Sequence, residues 1–327
     1  MPSANLGHTL VIANPAAHSG KGALAIDRVR SFFTSYASIT KSFDLEKTRA
    51  VLDGVEIAAQ AGGMDTVIVL GGDGIIHEVI NGLMAIDERD RPRLGIIPMG
   101  SGNDFARTLG ITPNNPEISL AELLRGTTRT IDLGTVTSDL TPGGMTPHAP
   151  VTYFMETLSF GIDAAIAIDT TARRAAGTKQ EGSTLFLTSS LKIVAAGSAG
   201  YPCTARIDSD EPIDLRTLVF TAQNGPTYGG GFRICPDANP TDGQLALCYT
   251  VTKPTVAHRL FLLALARFGR HVRSRSVKLR KTQSVSIDFM GKEPPCQVDG
   301  EQYRGTKFEI GVAPQSLRVI ASPLLSW

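Results

Sequence analysis

The sequence predicts two domains, an α/β domain built on a parallel sheet followed by a mainly antiparallel, β-sandwich-like domain. Three observations predict this. At 327 residues the chain exceeds one ordinary core and suits two, since domains typically hold about 100–200 residues. Up to about residue 133, short β-branched runs alternate with helical patterns, the rhythm of a doubly wound sheet. Beyond it, strand-like runs follow at short intervals, broken by Gly, Pro, Asn and Asp. The expected division is 1–133, with a C-terminal return at 315–327, against 134–314.

In the first part, Thr9–Ala13 reads as a buried strand, Ala23–Phe33 as a helix, Thr66–Leu70 as a second buried strand and Leu94–Ile97 as a third. Each strand runs into a polar or glycine-rich turn. Ligands of open parallel sheets sit beyond the carboxyl ends of the strands, so these turns are expected to line one crevice. In the second part the expected strands are Tyr153–Phe160, Leu218–Thr221, Gln244–Tyr249, Ser284–Phe289 and Lys307–Val312. Leu185–Ala196 and Thr255–Phe268 read as helices, and Thr137–Pro150 as a flexible loop.

Composition narrows the function classes. Hydrophobic residues at 42% and charged residues at 19% fit a globular chain, and a net charge of +1 gives no electrostatic case for a nucleic-acid partner. The start, Met1-Pro2-Ser3-Ala4-Asn5, lacks the features of a secretory signal, and Leu260–Ala266 is far short of a membrane span. The expected location is cytoplasmic. Four cysteines stand singly, without zinc-ligand spacing, and read as free thiols. Between Lys253 and Lys281 lie nine Lys or Arg residues and no Asp or Glu. Such a cluster suits an anionic membrane surface, and equally a solvated helix face and a charge-protected edge strand.

The chemistry-bearing motifs are the three turns. Val69–Leu70 leads into Gly71-Gly72-Asp73-Gly74 and then an apolar-periodic helix, a strand, glycine turn and helix N-terminus that together form a phosphate cradle. A carboxylate there, Asp73, would repel phosphate unless it held a cation or took a proton. Asn14-Pro15-Ala16-Ala17-His18-Ser19-Gly20-Lys21-Gly22 follows the first strand, and Pro98-Met99-Gly100-Ser101-Gly102-Asn103-Asp104-Phe105-Ala106-Arg107 the third. Neither the P-loop nor the dinucleotide fingerprint fits, since Gly22 follows Lys21 and His77 stands where the last glycine belongs. His77-Glu78 lacks the second histidine of a metalloprotease helix, that position being Asn81. Ser101 lacks the glycine pattern of a nucleophile elbow.

These three motifs resemble the catalytic domain shared by bacterial diacylglycerol kinases, ceramide kinases and sphingosine kinases. Gly229-Gly230-Gly231-Phe232, Pro236–Leu245 and Val298-Asp299-Gly300-Glu301 extend the resemblance over nearly the whole chain. It implies a Rossmann-like nucleotide domain, a cleft between the two domains, and transfer of the γ-phosphoryl group of ATP to a membrane-lipid hydroxyl, diacylglycerol first. Sphingoid-base kinase, NAD kinase and a non-catalytic nucleotide- or lipid-binding regulator are the rival readings. By the same resemblance, nucleotide contacts fall on Asn14, Pro15, Ser19, Gly20, Gly71, Gly72, Asp73, Gly74, Ile75, Ile76, His77, Ser101 and Asn103. A threonine after the second strand aligns without gaps on Leu45, and Thr48 takes the role if the register slips. A structural Mg²⁺ falls on Asp242, with Asn239 and Gln244 offering backbone oxygens. Gly74-x-x-His77-Glu78 looks like the sphingosine kinase version, whereas Asn103–Arg107 follows the bacterial diacylglycerol kinase pattern. The implied partners are the lipid and an anionic inner membrane face, with a homodimer left open. Three carboxylates compete for the role of base, Asp73, Asp299 and Glu301. Glu301 is favoured by the resemblance, and in an extended segment Asp299 and Glu301 would point the same way.

Overall fold

The computed structural model describes residues 5–18, 20–140, 151–178, 180, 182–197 and 199–327. Two compact units emerge. One holds the chain up to Ile131 together with Gln315–Trp327, and the other runs from Asp132 to Pro314.

The first unit is built from β1 (His8–Ala13), α1 (Lys21–Ser35), β2 (Ser42–Lys47), α2 (Asp53–Ala59), β3 (Thr66–Gly71), α3 (Asp73–Leu83), β4 (Arg93–Pro98), α4 (Asp104–Leu109) and α5 (Pro116–Arg125). Its strands are parallel in the order β2-β1-β3-β4. β3 is buried along its whole length, which explains why it reads as a continuous apolar run rather than an alternation. The register sets the turns side by side: Ala13 lies opposite Leu70 and Lys47, and Gly71 lies opposite Pro98. Val11, Ile26, Val29, Ile68, Leu70 and Leu123 belong to the core that closes one face of this sheet.

The second unit holds the later part of β5 (Thr127–Ser138), β6 (Thr152–Phe154), β7 (Thr157–Gly161), α6 (Ile162–Ala175), α7 (Gly182–Ala196), β8 (Tyr201–Ile207), β9 (Ile213–Thr217), β10 (Val219–Gln223), β11 (Leu245–Thr250), α8 (Val256–Ala266), β12 (Val277–Thr282), β13 (Ser284–Asp288), β14 (Cys296–Val298), β15 (Glu301–Gln302) and the first part of β16 (Lys307–Ala321), the remainders of β5 and β16 belonging to the first unit. One antiparallel sheet has the order β12-β11-β10-β7-β14-β15. In the other, Lys307–Gly311 of β16 pairs with β13, which pairs with β8, which pairs with β9. The inner faces share one core around Phe160, whose ring lies 4.6 Å from Phe308, 5.1 Å from Phe289 and 6.3 Å from Phe220. That is sandwich packing.

Several expectations change. Tyr153–Phe160 is two strands, because the chain breaks at Met155-Glu156. α6 went unread in the sequence, since it starts directly at the end of β7 through Gly161 at φ 102°, with no polar turn to announce it. The expected loop at Thr137–Pro150 lies outside the described residues from position 141 onward.

Candidate active site

The first unit brings its three turns together through backbone bonds between strand ends. Asn14 N–H donates to Leu70 O at 2.9 Å and Met99 N–H to Gly71 O at 2.7 Å. The Asn14 side chain accepts from Ala16 N–H at 2.9 Å, which closes the first turn. The second and third turns touch backbone to backbone. A Cβ on Gly100 would lie 2.7 Å from Gly72 Cα, so only glycine permits this approach. Gly72 caps α3 with no side-chain hydrogen bond, leaving the first-turn N–H groups of Asp73, Gly74 and Ile75 directed outward at the positive end of the helix dipole. Asp73, the first residue of α3, lies against the Gly102 backbone, with Asp104 on the same side. Arg107 holds Asp104 at 3.1 Å and also donates to the Gly102 carbonyl.

Other predicted residues sort by what their side chains touch. Thr48 lies just past the end of β2, buried, its N–H bonded to Ala13 O at 2.9 Å, whereas Leu45 is paired with Val11 in mid-strand. The register therefore puts Thr48, not Leu45, at the strand end beside the first turn. Asn103 is buried with φ 53°, its amide both accepting from Gly100 N–H at 2.8 Å and donating to Gly100 O. It shapes the turn from behind. Ile76 and His77 are buried, and His77 packs beside Asn81, so their side chains serve the core. Pro15, Gly20 and Ser101 lie on the turns as expected, and Ser19 lies outside the described residues.

In the second unit Asp299 differs most from expectation. Its φ is 48° and that of Gly300 is 95°, so the segment is a left-handed turn and the strand alternation that would align Asp299 with Glu301 does not apply. Its Oδ2 accepts Met155 N–H at 2.8 Å, and its Oδ1 accepts Glu156 and Thr157 N–H at 3.0 Å each. This carboxylate clasps the break between β6 and β7. Glu301, half-buried at the start of β15 and paired through its backbone with Val298, has no side-chain hydrogen-bond or ion-pair partner among the described residues. Thr171 of α6 reaches the Gly300 carbonyl at 3.3 Å and so ties α6 to this turn.

Asp242, the side chain expected to hold the structural Mg²⁺, has both carboxylate oxygens engaged within the chain. Asp242 Oδ1 accepts Gln244 N–H at 3.1 Å and its Oδ2 is paired with the Lys281 ammonium, while Asn239 Oδ1 accepts from both the N–H and the hydroxyl of Thr241. Among the described residues no group of three or more His, Cys, Asp or Glu side chains is placed to hold a metal.

Sequence reading also missed an apolar cavity of about 120 Å³ in the second unit, partly open to solvent. Ile166, Phe186, Phe232, Leu262, Leu263 and Tyr249 are among its lining residues. Asp163 sits in its wall, accepting from Tyr228 O–H at 2.8 Å and Thr221 O–H at 3.1 Å; burial lifts its carboxyl to about 6. Cys248 is another wall residue, its thiol drawn down to about 6 by hydrogen bonding with Cys235 and by His271. Both came from strands or helix starts that looked like plain core in sequence. The first turns of α6 line the cavity and Thr171 lies eight residues on, so the cavity wall at Asp163 and the Glu301 turn are about 12 Å apart along the helix.

Residues 8–136 match the model of the diacylglycerol kinase catalytic domain, and residues 156–321 match that of the YegS C-terminal NAD kinase beta sandwich-like domain. The second match alone spans half of the chain. The chain belongs to the diacylglycerol kinase catalytic-domain family. It is 30% identical over 268 residues to a diacylglycerol kinase of Mycobacterium tuberculosis, covering 80% of this chain and 79% of that one. A Bacillus subtilis diacylglycerol kinase is 27% identical over 241 residues, covering 72% and 71%. In fold, a diacylglycerol kinase structure from Bacillus anthracis overlays with a TM-score of 0.70 at 18% identity, covering 99% and 98% of the two chains. An NAD kinase from Archaeoglobus fulgidus overlays at 0.53 with 12% identity, covering 96% and 94%. This family member is a lipid-kinase-type phosphotransferase, and no helix among its described residues is long and apolar enough to cross a membrane.

Proposed function

We propose that the chain transfers the γ-phosphoryl group of ATP to a hydroxyl of diacylglycerol. The observation that carries this is the set of three adjoining turns at the ends of β1, β3 and β4, closed by the Gly72–Gly100 contact and faced by the open N-terminus of α3. Such a surface binds phosphate oxygens through backbone N–H groups and the helix dipole. Asn14, Pro15, Gly20, Thr48, Gly71–Ile75 and Ser101 hold the nucleotide, with Asn103 fixing the turn. Magnesium enters with ATP as part of that substrate, and no step is assigned to the Asp242 set.

An apolar lipid acceptor is supported by the family and by the apolar lining of the cavity in the second unit. Glu301 takes the hydroxyl proton. Its side chain has no hydrogen-bond or ion-pair partner among the described residues, whereas Asp299 is occupied by three backbone amides. Asp73 fixes the nucleotide end of the reaction. In such transfers the protein mainly positions groups and stabilises charge, so neither carboxylate forms a covalent intermediate.

The test incubates the protein with γ-labelled ATP and, separately, diacylglycerol, a sphingoid base, a mixed lipid extract and NAD. Labelled phosphatidic acid from the first is the expected result, and label in NAD alone would overturn the reading. Glu301→Gln should lower kcat at least ~100-fold with little change in the KM for ATP, the usual scale for a general base. If Glu301→Gln keeps more than about a third of the activity while Asp73→Asn abolishes it, the base is Asp73.

A further inference from the structure

Helices α7 and α8 pack on each other over the apolar cavity, Phe186 of α7 and Leu262, Leu263 and Ala266 of α8 facing into it. Their outer sides carry large apolar residues as well. Leu187 and Leu191 lie four residues apart on α7, hence on one face, and both are exposed; on α8 Phe261 is 57% exposed, and just beyond it Phe268 is 71% exposed. α8 carries only His258 and Arg259 as polar side chains. A helix of a water-surrounded protein normally turns one polar face outward, and a helix apolar all round has a second apolar neighbour.

The charge around this face identifies that neighbour. Of the nine basic residues between Lys253 and Lys281, Arg280 pairs with Asp208 and Asp210, and Lys281 with Asp242. Those two brace β12, the edge strand of its sheet. Lys253, Arg270, Arg273, Arg275 and Lys278 pair with no carboxylate among the described residues. Lys253 stands three residues before α8, and Arg270 and Arg273 lie in the single helical turn that packs directly after it. Exposed aromatics rimmed by uncompensated cations fit the interface of an anionic bilayer, where rings sit among headgroups and basic side chains meet phosphates.

We propose that the outer face of α7 and α8, with Leu187, Leu191, Phe261 and Phe268 at its centre and Arg270, Arg273 and Arg275 on its rim, docks on anionic lipid. The roof of the cavity is then apolar on both sides, giving a hydrocarbon chain a route from bilayer to cavity between surfaces that both welcome it. The lipid route rests on the proposed function, whereas the docking itself does not.

The experiment sediments the full-length chain with vesicles of phosphatidylcholine, with and without phosphatidylglycerol, and measures partitioning against salt. Wild type should bind the anionic vesicles, and less as salt rises. Phe261→Ser with Phe268→Ser should weaken binding at least ~10-fold, because each ring loses apolar burial. Arg273→Gln with Arg275→Gln should weaken it roughly 30-fold and flatten the salt dependence. All four positions are exposed, so melting should be unchanged. With a short-chain lipid dispersed in detergent, activity of both variants should equal that of wild type, and with vesicle-borne lipid it should fall. Binding by the variants equal to wild type, or no preference for anionic vesicles, overturns the proposal. So does a wild-type dimer in light scattering that Phe261→Ser with Phe268→Ser converts to monomer, which would make the face a self-association surface. Vesicle binding without phosphorylation of any lipid would refute the proposed activity and leave the docking face standing.

Discussion

Replacing Asp299 by Asn separates the two roles this residue was open to in sequence. Both carboxylate oxygens accept backbone N–H groups, one from Met155 at 2.8 Å and two from Glu156 and Thr157 at 3.0 Å. Whichever way an asparagine amide turns, its NH₂ faces at least one of these donors. A hydrogen bond to a charged group is lost and a buried N–H is left facing another donor, since Met155, Glu156 and Thr157 are all buried. Hydrogen bonds to charged groups contribute about 1.5–3 kcal/mol, and an unsatisfied buried donor costs about 1–3 kcal/mol, so a total loss of about 3 kcal/mol is expected. In a unit of this size that lowers Tm by roughly 6–12 °C. Backbone strain does not confound the test, because asparagine tolerates the left-handed conformation at φ 48° as well as aspartate does. Thermal melting followed by circular dichroism, with initial rates measured well below Tm, reads both effects. The expected outcome is a large fall in Tm with kcat reduced far less than in Glu301→Gln. A variant that melts within about 1 °C of wild type but has lost ~100-fold in kcat would refute the clasp and return Asp299 to the chemistry.

Three further outcomes follow from the geometry. Gly100→Ala places a Cβ 2.7 Å from Gly72 Cα and 2.9 Å from Asn103 Oδ1, forcing the turns apart by about 1 Å; kcat/KM for ATP should fall on the order of 100-fold, whereas Gly62→Ala, with its nearest atom at 3.7 Å, should be neutral. Burial raises the Asp163 carboxyl to about 6 from 3.8, so the folded state holds a proton that the unfolded state releases. Stability should therefore decline as pH rises from about 4 to 6, and Asp163→Asn should gain up to about 3 kcal/mol on wild type across that window in urea titrations; parallel curves would contradict the buried carboxyl. Among the four buried cysteines, the Cys248 thiol is drawn down to about 6 while burial pushes Cys203 up to about 12 and Cys235 and Cys296 well above their usual range. Mass spectrometry after brief maleimide treatment should find Cys248 labelled first, and an apolar ligand filling the cavity should slow that labelling.

Local sequence determined a good deal of this protein. The buried runs at Thr9–Ala13, Thr66–Leu70 and Leu94–Ile97, each ending in Gly, Asn or Pro, sufficed to place three parallel strands and their turns, because a parallel strand is buried on both faces and a turn with positive φ or close backbone approach demands particular residues. Asn14, Gly72, Asp73 and Gly100 were legible for the same reason. The resemblance carried by these ordered motifs extended that to the family, which the comparisons bear out over nearly the whole chain.

Tertiary structure decided what depends on partners distant in sequence. That Thr48 rather than Leu45 stands at the end of β2 beside the first turn follows from the pairing of β1 with β2, a register that two separated segments settle jointly. Asp299 became a clasp because Met155, Glu156 and Thr157, more than 140 residues earlier, present three N–H groups to it. Lys281 reaches Asp242 across 39 residues, and only the antiparallel pairing of β11 with β12 brings it there. The cavity, and the outward exposure of Phe261 and Phe268 above it, arise from how α6, α7 and α8 settle on a sheet. Periodicity within one helix tells an apolar face from a polar one; which of two apolar faces meets the core is fixed by the neighbour it packs against.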